Sequence, residues 1–323
     1  MTILQKQIIY LLQKEGKMSR KKLGKLLGVT PAAMSQNIKI MMDDNIIISD
    51  EEIDLKKVGR KEVLLRLNEK RFFFLGIELS PEIYVVRSNL DGECESYSDY
   101  SNLEELKQSL KGKDFSNCLA ISLSKKGFYS ESNLNSEEKD LLVFLRKLCP
   151  EVYFNNNIAC LAYSYKYYHD DATSFALIKY GPGLGSALFI ENNLLKNDRY
   201  PTYELGQLEI NLNGDTLEER VSYSSLDIDS SNVVETFENN DELRESVLSQ
   251  LAVSIKTLNT LLQLDYVIVS GEIFRSNKVK ESLYNILKKS GKFDLEKLSY
   301  IENYKVFNKN KSVVSGLYLF LKK

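Results

Sequence analysis

The sequence contains very few of the side chains that most metal sites and nucleophilic active sites require. His169 is the only histidine among the 323 residues, and the four cysteines, Cys94, Cys118, Cys149 and Cys160, form no C-x-x-C pair. A structural zinc site, a disulfide framework and Ser-His-Asp catalysis are therefore not expected. Because His169 follows a tyrosine-rich helix end, we expect it on the surface.

The chain also lacks a long apolar stretch. No uninterrupted apolar run approaches the roughly 18 residues that a membrane-spanning helix needs, and the N-terminus has no apolar signal-peptide core. We therefore expect a cytoplasmic protein with no membrane partner. With 323 residues and 43% apolar content, the chain is long enough to form two or three domains.

Charge is distributed unevenly along the chain. Residues 1–42 contain eight lysines and arginines and a single acidic residue, Glu15, whereas the whole chain has a net charge of −2. A basic terminal module on an acidic body is expected when only that module meets phosphates. A solvated basic helix face would explain some of these lysines, but not the contrast between the two parts.

Two short helices are predicted within this basic segment, after a first helix over Thr2–Glu15. Ser19 is a candidate N-cap of the earlier one and Gly28 its end, while Thr30 and Pro31 cap and open the later one. The short break between them has the spacing of a helix-turn-helix. A purely structural helical hairpin is the alternative.

The later helix has an apolar stripe and a face suited to DNA. Met34, Ile38 and Met41 form the stripe, and small or amide side chains on the other face can approach base edges in a major groove. The residues predicted to meet bases are Ala32, Ala33, Ser35 and Gln36. The residues predicted to bind phosphates are Arg20, Lys21, Lys22 and Lys39, and Thr30 is predicted to lie at the same surface.

A wing is predicted after these helices, from two strands at Ile46–Ser49 and Val63–Leu67 with a polar turn between them. The connecting segment carries Gly59, Arg60 and Lys61. Glycine removes a steric barrier and arginine suits a narrow minor groove, so we predict that this segment contacts DNA. An ordinary flexible linker is the alternative.

After residue 69 strands alternate with helices, which indicates α/β sheets. The turn Gly181–Gly185 joins two of these strands and has an open backbone that could approach a phosphate, although it leads into a strand and not a helix. The predicted strands are Phe72–Glu78, Ile83–Val86, Leu119–Leu123, Val152–Phe154, Phe175–Tyr180, Ala187–Ile190 and Tyr266–Val269. Two long helices are predicted around residues 243–262 and 313–321.

The order of these pieces resembles the ROK family, which groups bacterial sugar-responsive repressors with sugar kinases. The matching stretches are Gly59–Asn68, Gly76–Glu78, Val152–Asn157, Gly181–Gly185, Glu204–Gln207, Leu217–Glu218 and Val269–Gly271. The resemblance implies a winged helix-turn-helix joined to a two-lobed, actin-like (ribonuclease H-like) sugar kinase fold that binds a sugar between its lobes. It implies domains at residues 1–68, 69–170 and 171–311, with the C-terminal helix, 312–323, returning to the first lobe.

Departures from the family pattern argue against kinase activity. The family's catalytic aspartate, a general base, aligns with Asn157, whose amide cannot accept a proton. The phosphate-contacting Asp-x-Gly-x-Thr is replaced by residues 78–82, Glu-Leu-Ser-Pro-Glu, and Pro182 replaces a threonine of the glycine turn. Gln207 takes the place of a zinc-binding histidine, and residues 208–216 contain no cysteine. No catalytic residue, metal or cofactor is therefore predicted.

Some polar side chains suited to a sugar remain in the matching motifs. Carboxylates accept paired hydroxyl hydrogen bonds and amides complement them. The predicted sugar-binding residues are Asn156, Asn157, Glu204, Gln207 and Glu218. For Glu218, a solvated helix glutamate is the alternative. The short segment Ser124–Gly127, where the family has a long loop, predicts an altered pocket.

These features predict a sugar-responsive transcriptional regulator, specifically a repressor, with operator DNA as its partner and a sugar or sugar phosphate as a possible effector. One helix-turn-helix buries too little surface for operator specificity, so a homodimer or homotetramer is expected. Two alternatives stay open: an active sugar kinase with an added DNA-binding module, and a regulator whose kinase-like body only drives oligomerisation.

Overall fold

The computed structural model describes residues 1–50, 63–127, 131, 134–196 and 203–322. The chain divides into two compact units. Unit 1 comprises Met1–Lys125, Asn135–Phe154 and Ser312–Lys323, and unit 2 comprises Lys126–Leu134 and Asn155–Lys311. Unit 1 therefore contains the N-terminal helices together with a first α/β part, and unit 2 contains a second α/β part.

Unit 1 begins with a small domain, here called the winged head, that covers the described residues 1–50 and 63–67. Its helices are α1 (Ile3–Glu15), α2 (Arg20–Leu27) and α3 (Pro31–Asp43), and its antiparallel strands are β1 (Met18–Ser19), β2 (Ile47–Asp50) and β3 (Leu64–Leu67), in the order β1-β3-β2. Each helix directs an apolar face inward, and Ile8, Leu23 and Ile38 are all 0% exposed. The predicted helices and wing strands are confirmed, and β1 is an addition.

The α/β part of unit 1 is built on a mixed five-stranded sheet. Its strands are β4 (Phe73–Glu78), β5 (Ile83–Asn89), β6 (Cys94–Tyr100), β7 (Cys118–Lys125) and β8 (Val152–Asn156), in the order β6-β5-β4-β7-β8. The central strand β4 is buried along its whole length. It pairs antiparallel with β5 and parallel with β7, so the strands predicted at Phe72–Glu78, Ile83–Val86 and Leu119–Leu123 are confirmed.

Three helices accompany this sheet: α4 (Leu103–Leu110), α5 (Ser136–Leu148) and the C-terminal end of α11 (Tyr304–Lys322). The end of α11 packs on the sheet, because the Oγ atoms of Ser122 and Ser315 are 3.1 Å apart. The rings of Phe74 and Phe320 also meet edge to face, with 5.5 Å between their centroids. The last residues of the chain therefore complete the core of unit 1.

The winged head is attached to the α/β part of unit 1 through side chains of α1. Lys6 is buried, and its Nζ lies 4.3 Å from the centroid of the Phe320 ring. Gln13 donates a hydrogen bond from Nε2 to the carbonyl oxygen of Leu90. A cation over an aromatic face and a partly buried hydrogen bond from a side-chain amide both require fixed geometry. The face of the head that carries α1 is thus engaged within unit 1.

Unit 2 is built on a second mixed five-stranded sheet, in the order β11-β10-β9-β12-β13. The strands are β9 (Phe175–Tyr180), β10 (Leu184–Ile190), β11 (Asn193–Leu194), β12 (Tyr266–Ser270) and β13 (Leu298–Tyr300). The helices are α6 (Asn157–Tyr168), α7 (Leu217–Val221), α8 (Val233–Asn239), α9 (Asp241–Leu262) and α10 (Asn277–Lys289), with a short 3-10 helix at Leu205–Gln207. Its core joins β12 to α9 and α10 through Val267, Leu251 and Leu283, all 0% exposed.

The compact units divide the chain differently from the domains expected at residues 68, 170 and 311. Helix α6, expected in the first lobe, belongs to unit 2. It packs directly on β10, since atoms of the Ile158 side chain lie 2.8 Å from the position that a Cβ on Gly185 would take. The division into functional domains at these residues remains a prediction.

Two expectations drawn from scarce residues can be compared with the structure. His169 is exposed, as predicted, and its ring stacks on Tyr165 with 4.2 Å between centroids. The four cysteines are free thiols. Among the helices of the described ranges, none combines the length and apolar character needed to cross a membrane.

Candidate DNA-binding surface and candidate effector site

The turn between α2 and α3 is fixed by the capping residues that the sequence indicated. Ser19 Oγ accepts a hydrogen bond from the Lys22 backbone N–H at 3.2 Å, and Thr30 Oγ1 accepts one from Ala33 at 3.3 Å. Gly28 ends α2 in the left-handed region, with φ of 65°, where a Cβ would add strain. The predicted helix-turn-helix is therefore confirmed as local structure.

The surface of α2 and α3 exposes nearly all the side chains predicted to meet DNA in the described part of the head. Ala33 alone is half-buried, and its carbonyl oxygen accepts a hydrogen bond from Asn37 Nδ2 at 3.0 Å. The exposed members are Arg20, Lys21, Lys22, Thr30, Ala32, Ser35, Gln36 and Lys39. We call these eight residues the recognition surface.

The cations of the recognition surface are held only by weak contacts. Lys22 Nζ lies 3.6 Å from a Glu15 carboxylate oxygen, and both side chains are more than half exposed. Arg20 Nη2 lies 3.9 Å from the sulfur of Met42. Exposed ion pairs of this kind contribute little to folding and are screened by salt. These side chains can therefore exchange their present contacts for phosphate oxygens at little cost to the fold.

The base of the wing is stabilised by charge. Asp50 on β2 pairs with Lys17, and Arg66 Nε on β3 lies 3.9 Å from the same carboxylate. The hydrogen bond from Lys17 holds the pKa of Asp50 below its ordinary value, and the charge of Arg66 acts in the same direction. Gly59, Arg60 and Lys61 lie outside the described residues, so their DNA contact remains a prediction.

Sequence reasoning missed further exposed side chains of this helix pair. Lys25 and Leu26 on α2 are exposed, Leu26 by 55%, and Ile40 on α3 is 43% exposed. The helical period contained the signal for Ile40, because residues four apart lie on the same helix face and Gln36 was already placed there.

The candidate effector site begins at the start of α6, where the two predicted asparagines differ in role. Asn156 is 4% exposed and caps the helix. Its Oδ1 accepts hydrogen bonds from the backbone N–H groups of Ile158 and Ala159 at 2.7 and 3.3 Å, and its Nδ2 donates to the Gly127 carbonyl at 2.6 Å. Asn157 is the first residue of the helix and is 7% exposed. The amide of Asn156 is therefore engaged in the fold.

Glu218 is bound to the glycine turn. Its Oε2 accepts a hydrogen bond from the backbone N–H of Leu184 at 2.6 Å. A Cβ on Gly183 would lie 2.9 Å from that oxygen, and a Cβ on Gly206 would lie 3.1 Å from it and 2.6 Å from the Leu184 carbonyl. Only glycine leaves room for this carboxylate at both positions. Glu218 thus connects α7, the glycine turn and the 3-10 helix, and a solvated helix glutamate does not describe it.

Glu204 and Gln207 flank Gly206 on the other side of this connection. Gln207 is exposed and Glu204 is half-buried. The 3-10 helix Leu205–Gln207 is anchored to β10, because the backbone N–H of Leu205 donates to Ser186 Oγ at 3.3 Å. The exposed side chain of Gln207 is presented from a short turn where a ligand could reach it.

Unit 2 brings the segments that carry all five predicted sugar-binding residues together around the glycine turn. Ile158, next to Asn157, packs on Gly185, and Leu184 beside it donates to Glu218. Glu218 in turn packs on Gly206. The sequence motifs therefore belong to one neighbourhood, although two of their five polar side chains hold the backbone in place.

The segment that aligns with the family's zinc site is stabilised by hydrogen bonds. Residues 209 and 216 form an isolated antiparallel bridge. Inside the bridge, Asn211 Nδ2 donates to Asp215 Oδ2 at 2.8 Å, and Arg220 pairs with the same carboxylate. Asp215 has a lowered pKa because Asn211 and Arg220 both hydrogen-bond to it. In the described ranges, no three His, Cys, Asp or Glu side chains cluster closely enough to hold a metal ion.

A cavity of about 530 Å³ opens elsewhere in unit 2, beside Gly271 at the end of β12. Phe274, Arg275, Lys280 and Tyr304 are among the residues that line it. Arg275 pairs with Glu272 at 2.6 Å, which neutralises part of the positive charge. The described residues that line this cavity include none of the five predicted sugar-binding residues.

The N-terminal part of the chain matches a known family in sequence. A family model described as winged helix-turn-helix DNA-binding matches residues 1–48. No curated protein sequence matches the chain.

Solved structures resemble the chain over much greater lengths. A ROK family transcriptional regulator described as a homologue of the E. coli Mlc protein aligns with 99% of this chain and 98% of its own, at 15% identity and a TM-score of 0.78. A ROK family protein from Streptococcus pneumoniae in complex with sucrose covers 78% of this chain and 98% of its own, at 15% identity and a TM-score of 0.65. A ROK hexokinase from Thermus thermophilus covers 78% and 99%, at 14% identity and a TM-score of 0.64.

These likenesses show the fold. The chain has an N-terminal winged helix-turn-helix followed by the actin-like fold of ROK sugar kinases, as predicted. Because regulators and kinases share the fold, it does not by itself choose between them. The choice depends on the side chains of this chain.

Proposed function

We propose that the protein is a transcriptional repressor that binds operator DNA through its winged head and responds to a sugar through a catalytically inactive kinase-like body. The observation that carries the proposal is the recognition surface, where eight predicted contact residues are exposed on a helix pair matched by a DNA-binding family model. The similarity in fold to a ROK family regulator over nearly the whole chain supports it.

Each predicted DNA contact of the winged head has a proposed role. Ser35 and Gln36 meet base edges in the major groove, and the small side chains of Ala32 and Ala33 let α3 approach. Basic side chains on α2 and α3 bind phosphates and fix the register of the head, and Arg60 with its neighbours Gly59 and Lys61 enters the minor groove. The phosphate-binding residues are Arg20, Lys21, Lys22 and Lys39.

Operator binding by this head requires two copies. One recognition helix reads only a few base pairs, whereas specific sites combine two half-sites about one helical turn apart. We therefore propose an even-numbered homo-oligomer, a dimer or tetramer.

The proposed test of DNA binding is selection of sequences from a random duplex library by the full-length protein, followed by anisotropy titrations at several salt concentrations. We expect enrichment of a two-part site, with specific affinity at least about a thousandfold above that for random DNA. Gln36→Ala should weaken binding to the selected site, while Gln7→Ala, an exposed glutamine of α1, should not. Failure to enrich any sequence would refute the proposal.

The proposed absence of kinase activity depends on Asn157. A side-chain amide has no accessible basic pKa, so it cannot take the proton from a sugar hydroxyl, which is the role of the family's aspartate. A coupled assay with ATP, Mg²⁺ and a panel of hexoses, pentoses and amino sugars should show no turnover above background. Turnover by the wild-type protein would favour an active kinase with a DNA-binding module.

The proposed effector is a sugar or sugar phosphate bound near Glu204 and Gln207. A carboxylate and an amide on one short turn suit the hydroxyl groups of a sugar. In a panel of sugars and their phosphates, one should raise the melting temperature in proportion to RT ln(1 + [L]/Kd) and weaken operator binding. Glu204→Ala should abolish both responses, and Glu209→Ala, an exposed neighbour, should retain them. No response in a DNA-binding protein would mean that the body serves only assembly.

A further inference from the structure

The outward face of α3 contains one large apolar side chain. Ile40 is 43% exposed, although the core face of the same helix already holds Met34, Ile38 and Met41, each 1% exposed or less. At about 100° per residue, Ile40 lies roughly 40° around the helix from Gln36 and about 160° from Ile38. It therefore lies beside the recognition surface and not in the core.

Neither helix formation nor core packing explains an isoleucine here. A β-branched side chain is a weaker helix former than Lys, Gln or Ala, and more than two-fifths of this one remains outside the core. Its neighbours on the outward face, Gln36, Lys39 and Asp43, are polar and exposed. An apolar group among polar ones on a DNA-facing helix suggests an apolar feature on the DNA.

The major groove presents one such feature among the edges of its base pairs. The C5-methyl group of thymine is apolar, whereas the other groups exposed there are hydrogen-bond donors and acceptors. Ala32 lies toward the N-terminal end of the same face, and its single methyl group covers less area than the side chain of an isoleucine. Ile40 is thus the side chain on α3 with the size and polarity to cover a methyl group.

We propose that Ile40 is a specificity-determining residue that reads a thymine methyl group in each half-site of the operator. The inference rests on the proposed DNA-binding function and deepens it, because it assigns a base type to one position on α3. It predicts a T·A pair about one helical turn of α3 beyond the base contacted by Gln36.

The test replaces thymine by uracil, which removes only the methyl group. After selection of the binding site by the full-length protein, each thymine is replaced in turn, symmetrically in both half-sites, and affinity is measured by anisotropy for wild type, Ile40→Ala and Ile3→Ala. Ile3 is a matched control, since it is a 66% exposed isoleucine on α1, away from the recognition surface.

For the wild type, uracil at one position should weaken binding by about fourfold for each half-site, the equivalent of one buried methyl group. Ile40→Ala should bind the thymine site more weakly and should respond less than twofold to uracil at that position, while keeping its response elsewhere. Ile40→Val should retain most of the effect, and Ile3→Ala should behave as wild type. Because Ile40 is not part of the core, thermal melting should confirm that all variants fold.

The alternative outcomes are distinct. If Ile40→Ala responds to uracil at every position as the wild type does, the inference is wrong while DNA binding stands. If no thymine matters to the wild type, the inference is also wrong. If selection enriches no sequence, both the proposed function and the inference are wrong.

Discussion

The recognition surface and the candidate effector site use their polar side chains in opposite ways. On α2 and α3 all the predicted contact residues except Ala33 are exposed, and the cations among them are held weakly, as with the 3.6 Å pair between Lys22 and Glu15. Around the glycine turn, Asn156 makes three hydrogen bonds to backbone groups and Glu218 holds Leu184. The first surface is available to a partner, whereas two of the five predicted side chains in the second hold backbone groups of the fold.

This difference shows that some polar side chains of the matching motifs hold the backbone and are not available to a ligand. Asn156 and Glu218 position backbone segments, and that work is required whether or not a sugar is phosphorylated. In the proposed function, by contrast, Asn157 takes the place of the family's general base, and its amide cannot accept a proton. We therefore expect substitutions in the effector site to change stability first, and substitutions on the recognition surface to change DNA affinity first.

The largest expected effect is on stability, from Asn156→Ala. The change removes the N-cap from the backbone N–H groups of the buried residues Ile158 and Ala159 and removes the donor to the Gly127 carbonyl, which together should lower the free energy of unfolding by about 2–3 kcal/mol. Urea denaturation followed by circular dichroism measures it. Asn213→Ala, at an exposed turn, is the control. If the urea midpoint is unchanged and the sugar response is altered, Asn156 is a ligand contact and not a structural cap.

A smaller loss of stability is expected for Glu218→Ala. Removal of the carboxylate deletes its hydrogen bond to Leu184 and opens the space beside Gly183 and Gly206, so about 2 kcal/mol should be lost. Glu218→Gln keeps an acceptor of the same size and should lose about half as much. If both variants melt as the wild type does but fail to respond to the effector, Glu218 is a sugar ligand and not a structural connection.

The recognition surface should show the reverse pattern. Replacement of Lys21 and Lys22 by alanine should leave urea denaturation nearly unchanged, since both side chains are exposed. DNA affinity should fall by about tenfold or more, and the slope of log K against log salt should decrease by roughly 0.9 for each phosphate contact removed. Lys288→Ala with Lys289→Ala, at the end of α10 in unit 2, is the control for net charge. An equal loss in the control would locate the effect in overall charge.

How far the sequence predicts the structure depends on local signals. The caps at Ser19, Thr30 and Gly28 were predicted because each acts within a few residues of its own position. Strand β4 was predicted because both of its faces are buried, which produces a continuous apolar run. Helix ends and buried central strands are thus readable from sequence alone.

The parts that were missed lack such a pattern. Strand β6 has the sequence Cys-Glu-Ser-Tyr-Ser-Asp-Tyr and is mostly exposed at the sheet edge, so it shows no apolar alternation. The hydrogen bond from Leu184 to Glu218 joins residues 34 positions apart, and no pattern in either sequence segment predicts it. Residue types in the effector site were predictable, but which of them hold the backbone was not, because that depends on tertiary distances.

The smallest expected effect concerns Asp91, which lies beside the contact between α1 and the α/β part of unit 1. Asp91, next to the Leu90 carbonyl that Gln13 contacts, has its pKa raised to about 6 by burial and by the neighbouring carboxylates of Glu69 and Glu93, with Arg66 opposing them. A carboxyl group with a raised pKa in the folded state favours the protonated form. Its contribution to stability is therefore present below about pH 4 and is lost as the pH rises through about 6.

Asp91→Asn removes this ionisation and should raise the free energy of unfolding at pH 7 by about 1 kcal/mol, after allowance for screening by solvent. At pH 4 the variant and the wild type should be equally stable, so urea denaturation at both pH values isolates the effect. Asp114→Asn is the matched control, because hydrogen bonds from Ser116 lower the pKa of Asp114 and no gain at pH 7 is expected. Equal stability of wild type and Asp91→Asn at every pH would show that ionisation of Asp91 does not destabilise the folded protein.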